Sequence, residues 1–245
     1  MENAQLIGLS RQIGLQRQMD VLANNLANIN TTGFKGEQIL FEEYEMPVAR
    51  DRAFPFPDQP LIFTQDWATV HDLSPGAMVM TGNPLDVAIS GEGFFAVQTA
   101  AGERFTRSGA FQINAEGMLV TVNGDPVLGD GGPITFDPTE TDIAISSDGS
   151  VSTSEGGKGR LRIVEFDSPQ ALTRAGDTMF GGDNPLPAID SRIVQGSIER
   201  SNVSGVAEMT EMIRVTRSYE SLARLMQQQD DMRRDAVQVL GRLNA

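Results

Sequence analysis

From Leu15 the apolar residues fall at Leu15, Met19, Leu22, Leu26 and Ile29, a 4,3,4,3 spacing that lays a narrow seam along one side of a helix. The far end of the chain repeats the pattern. There Met212, Val215, Tyr219, Leu222 and Met226 are spaced 3,4,3,4, and a seam displaced by about one residue continues through Met232, Ala236, Val239 and Leu243. This C-terminal helix is predicted from Val206 to Leu243, roughly 55 Å at 1.5 Å per residue. Two such seams bury each other only if the chain returns to its starting side.

Between them the texture changes. Turn-forming residues recur between short β-rich runs: LDVAI (85–89), FFAVQT (94–99), MLVTV (118–122), ITF (134–136), DIAIS (142–146) and RLRIVEF (160–166). Asn123-Gly124 and Asp148-Gly149 are hairpin-favouring dipeptides, and Asn114-Ala115-Glu116-Gly117 is a further turn signal. Residues 31–75 are less regular, because Pro47, Pro55, Pro57, Pro60 and Pro75 exclude a long helix. In that stretch Phe54, Phe56, Phe63 and Trp67 look like anchors of extended chain packed on something. The predicted class is α+β: paired terminal helices (1–32 and 204–245) bracket an extended connector (33–75 and 196–203) and an all-β domain (76–195).

The first helix ends in an unusual run, Ala23-Asn24-Asn25-Leu26-Ala27-Asn28-Ile29-Asn30-Thr31-Thr32-Gly33-Phe34-Lys35. Asparagine weakens helices because its amide competes for backbone hydrogen bonds. On a wheel of 100° per residue, Asn24 and Asn28 lie about 160° to 240° from Leu22, away from the seam, with Asn25 on its flank. Two readings fit. The polar, uncharged face packs on protein through amide hydrogen bonds, or Asn28 and Asn30 simply unwind the helix before Gly33. Gly33 likewise is either a plain C-cap or a shaped exit, with Thr31 and Thr32 finishing the helix and Phe34 anchoring the exit. Asn202-Val203-Ser204 before Gly205 looks like a cap leading into the second helix.

Composition then removes function classes. The formal net charge of −14 over 245 residues argues against nucleic-acid partners and anionic membrane surfaces, and no run approaches the length of a membrane span. The N-terminus has no short apolar core with a small-residue cleavage site, so signal-peptide secretion is not expected. With no cysteine and one histidine, disulfides, thiolate sites and multi-histidine metal sites are excluded. Gly91-Glu92-Gly93-Phe94-Phe95-Ala96 matches a loose dinucleotide fingerprint, but a β run comes next where a helix must, so a glycine-rich hairpin is expected. Gly157-Lys158 lacks the rest of a phosphate loop and reads as a flexible loop. His71, beside Asp72, reads as surface or turn. Asp137, Glu140 and Asp142 lack Ca²⁺-loop spacing and read as solubilising turn residues. No catalytic residue, metal ligand or cofactor is predicted.

The motifs together carry a resemblance. MENAQLIGLSRQIGLQRQMDVLANNLANINTTGFKGE (1–37), GEGFFAV (91–97), RSGAFQINAEGMLVTVNGDPVLG (107–129) and QGSIERSNVSGVAEMTEMIRVTRSYES (195–221) resemble the flagellar rod and hook family of axial proteins, in order and over nearly the whole chain. The resemblance implies a non-enzymatic structural subunit of the basal-body rod, exported through the flagellar type III apparatus and assembled in the periplasm with itself and other rod proteins. The MEN start and compact length favour a proximal-rod subunit over a distal-rod or hook-type one. Helical tubes grow through heterologous contacts. The expected assembly residues are Leu22, Asn24, Asn25, Leu26, Asn28, Ile29, Thr31, Gly33, Phe34, Met212, Val215, Tyr219, Leu222 and Met226. Two other classes compete. A glycan-cleaving enzyme needs paired carboxylates in an aromatic cleft, for which one Trp and two Tyr are poor material; an adhesin or coiled-coil adaptor explains the helices but not the joined motifs. In dilute monomer the β domain should persist while the terminal helices, lacking neighbours, are largely disordered. Limited proteolysis that leaves both termini intact overturns that expectation.

Overall fold

The computed structural model describes residues 2–45, 62–176 and 178–243. It is α+β. Helix α1 (Glu2–Ala27) and helix α2 (Gly205–Leu243) bracket a long run of short strands. Chain contacts divide it into a helical unit (1–26, 37–70 and 205–245) and a β unit (27–36 and 71–204).

In the helical unit α1 and α2 run antiparallel. Gln5 Nε2 donates to Asp230 at 2.6 Å, Gln12 Nε2 to the Tyr219 hydroxyl at 2.8 Å, and Gln18 Nε2 to Glu211 at 3.1 Å. The inward line of α2 passes through Met212, Val215, Tyr219, Leu222 and Met226, all buried or half-buried. That of α1 passes through Leu15, Met19 and Leu22, but toward its start it is made of glutamines and glycines. Gly8 is buried where a Cβ would come 3.3 Å from the Met226 sulfur, and Gly14 where one would come 3.1 Å from the Phe41 ring. The absence of side chains there lets neighbours approach. The displaced C-terminal seam differs from expectation: Met232, Ala236 and Val239 are exposed.

The expected connector is partly a β ribbon, in which Glu37–Glu45 pairs with Ile62–His71. Pro47, Phe54, Pro55, Phe56, Pro57 and Pro60 lie outside the described residues, as do the side chains of Phe63 and Trp67. Segments 33–36 and 196–203 belong to the β unit.

The β unit is organised on a six-stranded antiparallel sheet in the order Thr173–Arg174, Met179–Gly181, Gly102–Thr106, Phe94–Thr99, Ile163–Glu165, Leu186–Pro187. Strand 94–99 is buried on both faces, and the two-residue side-chain period divides it. Phe95 and Val97 enter one core with Phe111, Leu119 and Val127, while Phe94 and Ala96 enter another with Phe105, Val164 and Phe180. Asp148-Gly149 turns between paired strands Ala144–Ile145 and Ser150–Thr153, and Asn114–Gly117 between Phe111–Ile113 and Leu119–Thr121, as their turn chemistry predicts.

Three expectations fail here. The glycines at 91 and 93 do not make a hairpin: Val87–Ser90 pairs with Arg192–Gln195, so the turn passes the chain from one sheet to another. Gly157-Lys158 lies in strand Gly156–Arg160, with Lys158 ion-paired to Glu140, so it is ordered pairing backbone instead of a loop. His71 is buried at 6% exposure, its ring edge-on to Phe180 at 5.3 Å and its Nε2 3.1 Å from the Leu172 carbonyl oxygen. An aromatic ring whose nitrogen meets a backbone carbonyl suits a core, and neighbouring Asp72 does not reveal this.

Candidate assembly site

The asparagine run resolves into two jobs. α1 stops at Ala27, earlier than the predicted limit of 32, because Asn28 and Thr31 close a turn. Thr31 donates its backbone N–H to the Asn28 carbonyl at 3.1 Å and its hydroxyl to Asn28 Oδ1 at 3.0 Å. Short polar side chains that bond locally draw backbone away from the helix. Ile29 therefore lies in the turn, beyond the helical seam, and Thr31 and Thr32 do not finish the helix.

Asn25 is different. It is buried at 2% exposure within the helical unit, where its Oδ1 accepts from the Glu37 N–H at 3.0 Å and its Nδ2 donates to the Glu37 carbonyl at 2.9 Å and to Glu208 at 3.3 Å. The amide mimics a strand neighbour for the first residue of the ribbon, so this asparagine works inside the subunit. Asn24 is exposed and Asn28 half-buried. Leu22 is buried and Leu26 half-buried on the helix's inward side.

In the β unit, residues 33–36 thread between other segments with each residue held. Gly33 has φ of +68°, and a Cβ there would lie 2.2 Å from the Ser108 nitrogen, so both its conformation and its space require glycine. Its N–H donates to the Glu199 carbonyl at 2.8 Å. Phe34 is fully buried under the Arg174 guanidinium, 4.6 Å from the ring centroid, and Arg174 Nη2 donates to the Lys35 carbonyl at 2.5 Å. Gly36 donates to Asn202 Oδ1 at 2.9 Å, and Asn202 Nδ2 donates to the Asp72 carbonyl at 2.8 Å.

Lys35 lies at the centre. Its Nζ donates to Glu199 Oε1 at 2.6 Å and to the Ser74 carbonyl at 2.7 Å, and Glu199 Oε1 also accepts from the Gly76 N–H at 2.8 Å. Arg107 Nη1 stands 3.7 Å from Glu199 Oε2. Two cations thus share one buried carboxylate. Burial pulls both Lys35 and Arg107 below their ordinary pKa values, with Glu199 opposing the shift in each case. Such a cluster fixes one segment against another.

Sequence spacing does not single out Lys35, Glu199, Arg107, Arg174 or Asn202. All but Arg174 lie inside the motifs quoted above, yet nothing local pairs residue 35 with residue 199. Among the described residues, Asp137, Glu140 and Glu155 place carboxylates within 4.8 Å of one another, and Lys158, ion-paired to the first two, already supplies a cation there.

Removing the shared carboxylate should leave two buried cations facing each other. Glu199→Gln is expected to destabilise the β unit by about 3–5 kcal/mol, and Lys35→Met on that background to recover part of it. Gly33→Ala is expected to cost well over the roughly 1 kcal/mol of a helix-interior glycine change, because strain and overlap add. Urea unfolding followed by circular dichroism reads all three, and a Glu199→Gln midpoint equal to wild type refutes the electrostatic account.

Family models match in chain order: flagella basal body rod protein at residues 6–35, flagellar hook protein FlgE/F/G D1 domain at 88–153, and flagellar basal body rod FlgEFG protein C-terminal at 194–239. The first two thus cover the exit turn of α1 and strand 94–99; the third covers Glu199 and most of α2. The chain is 40% identical to the flagellar basal-body rod protein FlgF of Caulobacter vibrioides, over all of both chains. Identity is 34% to the protein of that name from Escherichia coli, over 91% of this chain and 92% of the other. It is 32% to the flagellar basal-body rod protein FlgG of Agrobacterium fabrum, over 89% of this chain and 91% of the other. With matching motif order, full-length similarity and a helix–β–helix chain in agreement, the protein belongs to the flagellar basal-body rod family and is a structural subunit of the flagellar rod.

Proposed function

We propose that this chain is a proximal-rod subunit, a non-enzymatic segment of the drive shaft that transmits torque and helps enclose the export channel. Its 40% identity to the FlgF-named relative of Caulobacter vibrioides, against 32% to the FlgG-named relative of Agrobacterium fabrum, supports the proximal over the distal type. The observation that carries the assembly role is apolar surface left on the outer faces of the helix pair. Leu6, Leu9 and Ile13 follow i, i+3, i+7 on α1, and Val206, Met209 and Ile213 do so on α2, each about half exposed or more. Apolar stripes on the far side of a helix from its partner need another surface. Because the helices are antiparallel, the two stripes sit near opposite ends of the pair, which suits head-to-tail growth.

In this reading the inward residues, Leu22, Leu26, Met212, Val215, Tyr219, Leu222 and Met226, preserve the pair that neighbours recognise. Asn24 and Asn28 offer amides to those neighbours, and Thr31, Gly33 and Phe34 shape the chain's exit from α1. The paired terminal helices line the tube. Delivery is through the flagellar type III apparatus into the periplasm, and the partners are other rod proteins and further copies. No helix among the described residues is long and apolar enough to cross a membrane.

Mass spectrometry of basal bodies purified with and without this gene tests the reading. The chain should be present in the rod fraction, and rods should fail to extend in its absence; intact motile flagella lacking it overturn the proposal. Asn24→Ala, which leaves the Asn28–Thr31 turn in place, should weaken incorporation, since a buried partner group left unpaired costs roughly 1–3 kcal/mol. Normal assembly and rotation of that variant remove Asn24 from the interface.

A further inference from the structure

The formal charge of −14 is unevenly placed along the chain. Residues 1–26 carry two acidic and two basic residues, and residues 205–245 carry six of each. Both terminal helical segments are therefore neutral, and the whole excess lies between them. The β unit alone, residues 27–36 and 71–204, holds eighteen acidic against nine basic residues. Two β units repel each other, so a second copy approaches most easily where the charge cancels, at the helix pair.

The neutral helices also carry the two exposed apolar stripes, and these match. Leu6, Leu9 and Ile13 on α1 and Val206, Met209 and Ile213 on α2 have the same i, i+3, i+7 spacing, so each is a ridge about 10 Å long. Ridges of three- and four-residue spacing interlock when helices pack. Within one chain the two stripes never meet. Gly8 lies against Met226, and Met209 is 17 residues from Met226 along α2, about 25 Å at 1.5 Å per residue. A β unit is a poor cover for either stripe, because its excess carboxylates would lose water against apolar side chains. An α1 stripe on another α1 stripe would close a two-fold dimer and stop growth, whereas an α1 stripe on an α2 stripe leaves one of each free.

We infer that the α1 stripe of one copy seats on the α2 stripe of the next. The inference rests on the rod reading and names the partner of its stripes. The chain has no cysteine, and a disulfide needs Cα atoms within about 7 Å, so Leu9→Cys with Met209→Cys can bridge only between chains. Basal bodies holding that full-length variant, oxidised and run on a non-reducing gel, should give a ladder of dimers and longer multiples. Leu9→Cys alone, and Leu9→Cys with Asp130→Cys on the exposed β surface, should give none. A charge pair reads the same contact without a cross-link. Leu9→Lys or Met209→Glu alone should lower incorporation roughly tenfold or more, and both in one chain should restore most of it, which at 25 Å only contact between copies explains. Unaltered melting curves show that these variants fold. Where the double-cysteine chain fails to enter basal bodies, the charge pair decides. A dimer from Leu9→Cys alone, a bridge only to another axial protein, or no recovery in the charge pair while the wild-type chain is present in basal bodies overturns the stripe pairing. Absence of the wild-type chain from basal bodies instead overturns the rod reading itself.

Discussion

The buried contact between Lys35 and Glu199 is the constraint around which the β unit closes. One carboxylate oxygen accepts from the Lys35 ammonium and from the Gly76 N–H, and the Gly33 N–H binds the Glu199 carbonyl. Three stretches distant in sequence meet at one residue. Desolvating such a pair offsets most of its attraction, so its contribution is less to net stability than to the penalty for any arrangement that separates the charges. Asn202 and Arg174 repeat the logic with backbone partners, clamping Gly36 and the Lys35 carbonyl.

The helical unit obeys a different rule. Its apolar seam is strong near Leu22 and Val215 but gives way to Gln5, Gly8 and Gln12 toward the start of α1. Glutamine pairs with Asp230, Arg233 and Tyr219 specify register with little apolar adhesion. Each such bond is worth only about 1 kcal/mol net, so the pair is aligned more firmly than it is glued. Much of its apolar surface lies instead on the outer faces, at Leu6, Ile13, Val206 and Ile213.

Periodicity makes the architecture legible. Heptad spacing locates both helices, and the turn signals Asp148-Gly149 and Asn114–Gly117 locate hairpins, because both are local consequences of backbone geometry. Local rules do not deliver anything set by distant partners. Asn25 sits among three other asparagines, yet only the arrival of Glu37 and Glu208 gives it a buried role. His71 beside an aspartate looks like surface in the sequence because Phe180 and Leu172 are a hundred or so positions away. Lys35 reads as an ordinary charged residue after a turn, since its counter-ion is 164 residues downstream. The glycines at 91 and 93 are legible as punctuation, but a sheet-to-sheet passage and a hairpin share that signal.

That separation of 164 residues has a temporal meaning. A chain synthesised from its N-terminus holds Lys35 long before Glu199 exists. Until both arrive, an ammonium or a carboxylate remains solvated and residues 33–36 lack their binding slot. The closed β unit is therefore a state only the nearly complete polypeptide can reach, and the buried pair acts as a check on completeness: fragments cut short before Glu199 lack the means to imitate a finished subunit.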